Sequence, residues 1–453
     1  MPRFRPHRMY PGALLAQEAC SYQASTELLA QVRGDLVVLV HSDRDCANVL
    51  PKTGQRIHAE HPYKFLCTNM KEDELVTGQG NAKLRRAIEL VHAAWKPQLL
   101  VVLSTCPTVM IGDNVKNVVR KAARDLDFRV VSEVTHGLKP QSPAEVVDTV
   151  YKLLTAASVR TLEDVSRRVN LVGLSLDAGE KTEIEAGLAA LGLTLNATLH
   201  HRSTLGDFLR MADAAFNIHP GPNLLLGLQK QALEQFGIAS IEVPLPCGVQ
   251  ATDAFWQAIA EKTQVPAETA QTPDRMPNAA TAPRRERAVA VLDAFRLKHA
   301  GRTLRAGYNI GSVRSFDLRR IGLEELGELS LLRELGFASK LYIQGPQHAE
   351  NQGRTAQVLQ ELGVTEPFVL FPAPSSLVQF LEQAPADLFC GESFLHDQLT
   401  QVNLPLLLHS ELGLGYDRVA RDVGLIEQTL HADFYRNFRS RRITPDDADA
   451  AAA

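Results

Sequence analysis

The sequence has 453 residues, of which 45% are hydrophobic and 22% charged, with a formal net charge of -4. That length exceeds one hydrophobic core and implies about two to four domains. The balance excludes a disordered chain and gives no electrostatic ground for nucleic-acid binding. No apolar run reaches the ~18 residues of a membrane-spanning helix, so no membrane association is expected.

The first residues, "MPRFRPHRMYPG", are basic and contain three prolines. No apolar core of a secretion signal follows, so they read as a solvated arm, and the expected location is the cytoplasm. A helix beginning at Cys20, "SYQASTELLAQVRG", leads to a continuous apolar run, "DLVVLV" (35–40), of the kind found in parallel strands covered on both faces. Then comes a glycine-poor turn, "HSDRDCANVLPKTG" (41–54), carrying Cys46. "NAKLRRAIELVHAAW" (81–95) has helical spacing, and "PQLLVVLSTCP" (97–107) is a second buried strand. "GDNVKNVVRKAARDL" (112–126) reads as a helix with Asp113 in its first turn, and "FRVVSEV" (128–134) as a third strand.

The same alternation recurs twice. Strands are predicted at 169–176, 193–200, 214–220 and 239–246, and again at 303–310, 339–346, 367–374, 387–393 and 404–410. Between the two sets, "QVPAETAQTPDRMPNAATAP" (264–283) lacks an apolar period and reads as a linker or surface loop. The fold class is therefore α/β: three Rossmann-like domains with mainly parallel sheets covered by helices, closed by an amphipathic C-terminal helix. The expected divisions are 1–165, 166–263, the linker 264–283, 284–445 with the terminal helix, and a disordered tail 446–453.

Six cysteines without a CxxC pair rule out a disulfide scaffold, a zinc ribbon and thioredoxin chemistry. In an open α/β sheet, ligands bind outside the carboxyl ends of the strands. Cys46 and Cys106 both fall at that edge of one predicted sheet, and Cys20 can reach it from the helix start. Three convergent thiolates of this kind suit an iron–sulfur cluster better than structural zinc. Singly, each reads as a buried small hydrophobe, and the residues alone leave the two readings open. Cys67, Cys247 and Cys390 are read as such hydrophobes. His41 is read as a satisfied loop histidine rather than a supporting group for Cys46. No GxxxxGK[ST] phosphate loop occurs, so ATP is expected to bind elsewhere.

"HSDRDC", "YKFLCTNMKEDELVTGQGNAKLRRAI" and "KPQLLVVLSTCPTVMIGDNV" together resemble the first domain of the nitrogenase component 1 superfamily. The resemblance continues weakly through 236–261 and resumes over 387–430. It implies that Cys20, Cys46 and Cys106 hold this chain's half of an 8Fe iron–sulfur cluster of the P-cluster type, bridging two subunits. It further implies that Cys67 matches an additional cysteine of β-type chains that is not a ligand. Where the α-type subunit carries a cofactor cysteine, this sequence has His219 and Pro220, so the chain looks like a β-type, or K-like, subunit. The implied partners are a homologous α-type (D-like) subunit in an α2β2 assembly and an ATP-dependent iron protein. Electrons would pass from that protein through the bridging cluster to an active-site iron–sulfur metallocofactor in the α-type chain, where the small-molecule substrate binds. The glycine-poor turn departs from nitrogen-fixing members. The resemblance is nearest to methylthio-alkane reductases, which implies reductive C–S cleavage. A nitrogenase β subunit, a cofactor-assembly scaffold and a metal-free α/β binding protein are the alternatives.

Overall fold

The computed structural model describes residues 20–48, 65–136, 141, 143–200, 202–220, 225–263, 278–312, 324–391, 395–409 and 412–432. The predicted tail and most of the linker lie outside these. Apolar runs bounded by turns form three parallel sheets. The first contains β1 (Leu36–His41), β2 (Phe65–Cys67), β3 (Leu99–Ser104) and β4 (Val130–Val134) in the order β2-β1-β3-β4. The second contains β5 (Arg168–Val172), β6 (Thr194–Leu199), β7 (Phe216–Pro220) and β8 (Ala239–Val243), ordered β6-β5-β7-β8. The third contains β9 (Arg305–Ser312), β10 (Ala338–Gln344), β11 (Phe368–Phe371), β12 (Leu388–Gly391) and β13 (Leu406–Leu408), ordered β11-β10-β9-β12-β13. The α/β fold of three parallel sheets flanked by helices is the one expected.

Each order reverses direction once: between β1 and β3, between β5 and β7, and between β9 and β12. At such a point the loops leaving neighbouring strands run apart and open a crevice. The first sheet shows why its strands are apolar throughout. Val38, Val40, Val101 and Leu103 face the large shared core, whereas Val37, Leu39, Leu100 and Val102 face Leu84, Ile88, Val115 and Val119 of the covering helices. Burying each such side chain stabilises the fold by about 1.5–3 kcal/mol.

Carboxylates, buried at Glu183 and Glu334 and half-buried at Asp148, fasten helix starts contributed by distant parts of the chain. Asp148 accepts from the N–H groups of Gly227 and Leu228 at 3.1 and 2.7 Å. Glu334 accepts from Val249 and Gln250, both at 2.8 Å. Glu183 accepts from Tyr416 and Asp417 at 2.7 and 3.1 Å, at the start of the terminal helix Tyr416–Leu430. Gly415, with φ +84°, is needed there, since a Cβ on it would meet the Glu183 carboxyl at 2.6 Å.

Two elements differ from the sequence reading. β2 is only three residues long and too short to show a period, but it pairs with β1 through Val38–Phe65, Leu39–Leu66 and Val40–Cys67. A helix, Asn278–Lys298, begins inside the stretch read as a linker. Its first turns, "NAATAP", lack large apolar residues, yet alanine is the strongest helix former.

Candidate functional site

The carboxyl edge of the first sheet collects sulfur. Cys20 precedes the helix Ser21–Gln31 at its N-cap. Cys46 lies in the short helix Arg44–Asn48 that follows β1, with its backbone N–H bonded to Asp43 Oδ1 at 2.9 Å. Cys106 opens the helix Cys106–Met110 directly after β3, the strand that pairs with β1 through to His41 and Ser104. Cys67 ends β2, opposite Val40 of β1. All four thiols are half-buried, whereas Cys247 and Cys390 are buried.

Tyr22, which nothing in the sequence singles out, lies near three of them, Cys67, Cys46 and Cys20. It is 3% exposed. Burial raises its phenol pKa, and the proximity of Cys67, Cys46 and Cys20 raises it further. Its hydroxyl has no hydrogen-bond partner among the described residues. Burial likewise raises the Cys46 thiol, aided by Asp43 and opposed by hydrogen bonds from Ser42 and Thr105, with Cys106 close enough to be felt. Burial also raises Cys67, which donates to the carbonyls of Asp43 and Ser42 at 3.4 and 3.6 Å and accepts from Asn69 N–H at 3.2 Å. The proximity of Cys67 to the other thiols departs from its reading as a buried hydrophobe.

The loops around the thiols are held rigidly. Thr105 Oγ1 donates to Ser42 Oγ at 2.5 Å, linking the ends of β1 and β3. His41 is fully buried and satisfied on both nitrogens: Nδ1 lies 3.2 Å from Thr68 Oγ1 and Nε2 lies 3.0 Å from Asp113 Oδ2. Burial lowers its pKa against the pull of Asp113. Asp113 reaches it because Gly80 has no Cβ, which would stand 1.9 Å from that carboxylate. Asp113 thus precedes its helix, Val115–Leu126, instead of sitting in the first turn, and Asn114 caps it by accepting from Asn117 N–H at 3.3 Å.

In the second sheet, His219 is the last residue but one of β7, a strand at the strand-order reversal. It is fully buried, neither ring nitrogen has a partner among the described residues, and burial lowers its pKa to about 3. In the third sheet Cys390 meets His409 and Glu328, all buried. Burial pushes the Cys390 thiol up to about 11. Burial alone would lower His409, but Cys390 and the Glu328 carboxylate outweigh it and raise its pKa well above the ordinary imidazole value. The sequence reading missed this group, whose members lie 19 to 81 residues apart.

The donors of the first sheet fit an iron–sulfur cluster. Thiolates are its ordinary ligands, and an orphaned buried phenol among them is a donor suited to cluster sulfur. A single ion draws its ligand atoms together more tightly than these thiols lie: among the described residues only Glu328, Cys390 and His409 bring three within 4.8 Å of one another.

The chain is an α/β protein of three parallel sheets with thiols gathered at the strand-order reversal of the first. The model of the nitrogenase component 1 type oxidoreductase family matches residues 20–410, and the chain belongs to that family. It is 28% identical over 138 residues to the nitrogenase molybdenum-iron protein alpha chain of Methanosarcina barkeri, covering 29% of this chain and 26% of that one. Against the nitrogenase iron-molybdenum cofactor biosynthesis protein NifE of Clostridium pasteurianum it is 25% identical over 231 residues, covering 51% and 50%. Against a chain of the light-independent protochlorophyllide reductase of Chloroherpeton thalassium it is 25% identical over 196 residues, covering 42% and 36%. The chain thus spans half or less of the length of these curated relatives. The solved structure "Nitrogenase Cp1 at pH 5" shares the fold, with a TM-score of 0.65 at 17% identity over 97% of this chain and 93% of that one. No helix among the described residues is long and apolar enough to cross a membrane.

Proposed function

We propose that the chain is the β-type subunit of a nitrogenase-like two-component reductase. Cys20, Cys46 and Cys106 hold one half of a bridging iron–sulfur cluster of the P-cluster type, and a homologous α-type subunit holds the other half in an α2β2 assembly. The observation that carries this reading is the gathering of Cys20, Cys46 and Cys67 around the buried Tyr22 hydroxyl, which has no partner among the described residues, with Cys106 close to Cys46. When bound, such a cluster supplies a store of single electrons. This chain's residues position and shield it: the Thr105–Ser42 contact fixes two ligand loops relative to each other, and Tyr22 offers an O–H to a sulfur atom. Because burial keeps Cys46 protonated, loading metal displaces a proton and becomes easier as pH rises.

On this proposal an ATP-dependent iron protein supplies the electrons, and the α-type partner carries the active-site metallocofactor and binds the substrate. The glycine-poor segment "HSDRDC" (41–46) departs from nitrogen-fixing members, and on this proposal the substrate is a methylthio-alkane, cleaved reductively at a C–S bond, rather than dinitrogen. A second reading, a cofactor-assembly scaffold, is favoured by the NifE relatives, whose alignments span about half of this chain, 51% for the Clostridium pasteurianum protein.

The test is anaerobic co-purification with an α-type chain and assay with an iron protein. Release of methanethiol from a methylthio-alkane supports the reductase, whereas an iron-loaded complex without turnover supports the scaffold. Replacing Cys46 or Cys106 with Ala is expected to abolish or alter the cluster's EPR signal. Cys247→Ala is expected to leave it intact, since Cys247 is fully buried in the shared core. An unchanged signal in both of the first two variants overturns the ligand assignment, and a complex without iron overturns the metal-binding reading altogether.

A further inference from the structure

Three side chains that the proposed cluster does not use meet at the strand-order reversal of the third sheet. Cys390 lies on β12, His409 follows β13, and Glu328 comes from the helix Glu324–Glu334. They are 0%, 5% and 6% exposed. His409 Nδ1 lies 2.8 Å from Glu328 Oε2 and 3.5 Å from Cys390 Sγ, and the sulfur lies 3.7 Å from the same carboxylate oxygen. His409 Nε2 lies 2.9 Å from the carbonyl oxygen of Asn309 on β9.

That carbonyl can only accept, so Nε2 carries a proton, and in a neutral ring Nδ1 is a bare lone pair. It faces a carboxylate oxygen and a sulfur. This is not a nucleophile–base–acid arrangement, in which the two ring nitrogens serve opposite partners. Here both partners face one nitrogen, and no substrate reaches a fully buried thiol. Three electron-rich atoms turned toward one point need either a shared proton or a cation between them.

The distances to sulfur admit a cation, although each is also an ordinary hydrogen-bond length for a thiol. Zinc bonds of about 2.3 Å to sulfur and about 2.0–2.1 Å to nitrogen and oxygen, at tetrahedral angles, set ligand atoms about 3.3–3.6 Å apart. The two edges to sulfur, 3.5 and 3.7 Å, are close to that, and only the 2.8 Å N–O edge is shorter, at hydrogen-bond length. An imidazole that ligates a metal commonly donates its other N–H to a carbonyl, as His409 does here. The mixed sulfur, nitrogen and oxygen set suits a borderline divalent ion, and the site lies where open α/β sheets take their ligands.

We propose that Glu328, Cys390 and His409 bind one zinc-class divalent cation, taken up as the third sheet folds around it. Binding displaces the thiol proton and the proton shared by Glu328 and His409. The ion's two positive charges then match the one thiolate and one carboxylate that ligate it. It is separate from the cysteines of the first sheet and does not depend on the function proposed for them.

The test is elemental analysis and X-ray absorption at the zinc edge on the full-length chain produced in zinc-supplemented medium and dialysed against chelator. The expected result is one zinc per chain with a single sulfur neighbour, the remaining neighbours being nitrogen or oxygen. Cys390→Ser and Glu328→Gln should each lower the retained zinc at least tenfold, whereas Cys247→Ala should not. Glu328→Gln keeps the side-chain shape, so circular dichroism of that variant separates loss of metal from loss of fold. Absence of zinc from the folded wild-type chain overturns the proposal and leaves a buried imidazolium–carboxylate pair. Zinc with three sulfur neighbours overturns it too, because that ion would sit on the thiols of the first sheet. Neither outcome bears on iron binding there.

Discussion

Tyr22 shows at the scale of one residue what a buried polar atom implies. A hydroxyl removed from water without a partner costs about 1–3 kcal/mol, and the Tyr22 hydroxyl is in that position among the described residues, beside Cys67, Cys46 and Cys20. The expectation therefore has opposite signs in the two states of the protein. Without metal, Tyr22→Phe should raise the unfolding free energy by about 1 kcal/mol, read from urea midpoints. With the proposed cluster, the same change removes a hydrogen bond to sulfur that favours the reduced, more negative form, so a redox titration should find a more negative potential. A variant indistinguishable from wild type in both states would show that the phenol is not part of the site. The placement of Cys20, Cys46 and Cys106 was legible in the sequence, because Cys20 stands at a helix start and the other two follow apolar runs. Tyr22 was not, because "SYQ" in an amphipathic helix carries no sign of what its hydroxyl faces. Cys67 was missed as a neighbour for a related reason, since the strand that carries it is too short to register as one.

The elements themselves were largely readable, because buried parallel strands are continuous apolar runs and the covering helices have a helical period. What the sequence concealed is how separate units are fastened. Glu183, Glu334 and Asp148 each lie 79 or more residues from the helix start they cap, and at that separation nothing distinguishes them from ordinary helical carboxylates. Burial raises the pKa of Glu183, against hydrogen bonds from the backbone of Asp417 and Tyr416, and burial raises Glu334 against those of Val249 and Gln250. A carboxyl group with a folded pKa above its unfolded value binds more protons when folded. Its contribution to stability is therefore complete below the unfolded pKa, about 4.3, and declines as pH rises through the folded value. Glu183→Gln lacks this titration, so the stability of wild type relative to the variant should fall as pH rises above about 4.5, measured by urea unfolding across that range. Glu183→Ala should lose about 1–3 kcal/mol near pH 4.5, since it strands the N–H groups of Tyr416 and Asp417. A flat wild-type–Gln difference would mean that the buried carboxyl titrates normally.

For the molecule as a whole, each of the three sheets places sulfur or imidazole where its strand order reverses: Cys46 and Cys106 in the first, His219 in the second, Cys390 and His409 in the third. The second and third are buried and closed, but the thiols of the first are only half-buried. Beside them Met110 is 75% exposed, and Ile111 and Val134 at the same sheet edge are 39% and 37% exposed. Apolar side chains grouped at an edge mark a surface that another protein covers, and half-buried thiols there suit a cluster completed by that partner. The chain alone should then hold little iron, and co-production with an α-type chain should raise its iron content severalfold, together with a shift to larger size in gel filtration. Met110→Glu places a charge in the patch without touching a thiol. It should prevent association and lower cluster iron about tenfold, while circular dichroism and the zinc bound by Glu328, Cys390 and His409 stay as in wild type. A full complement of iron in the isolated chain would place the whole cluster within one subunit, and normal association of Met110→Glu would move the partner to another face.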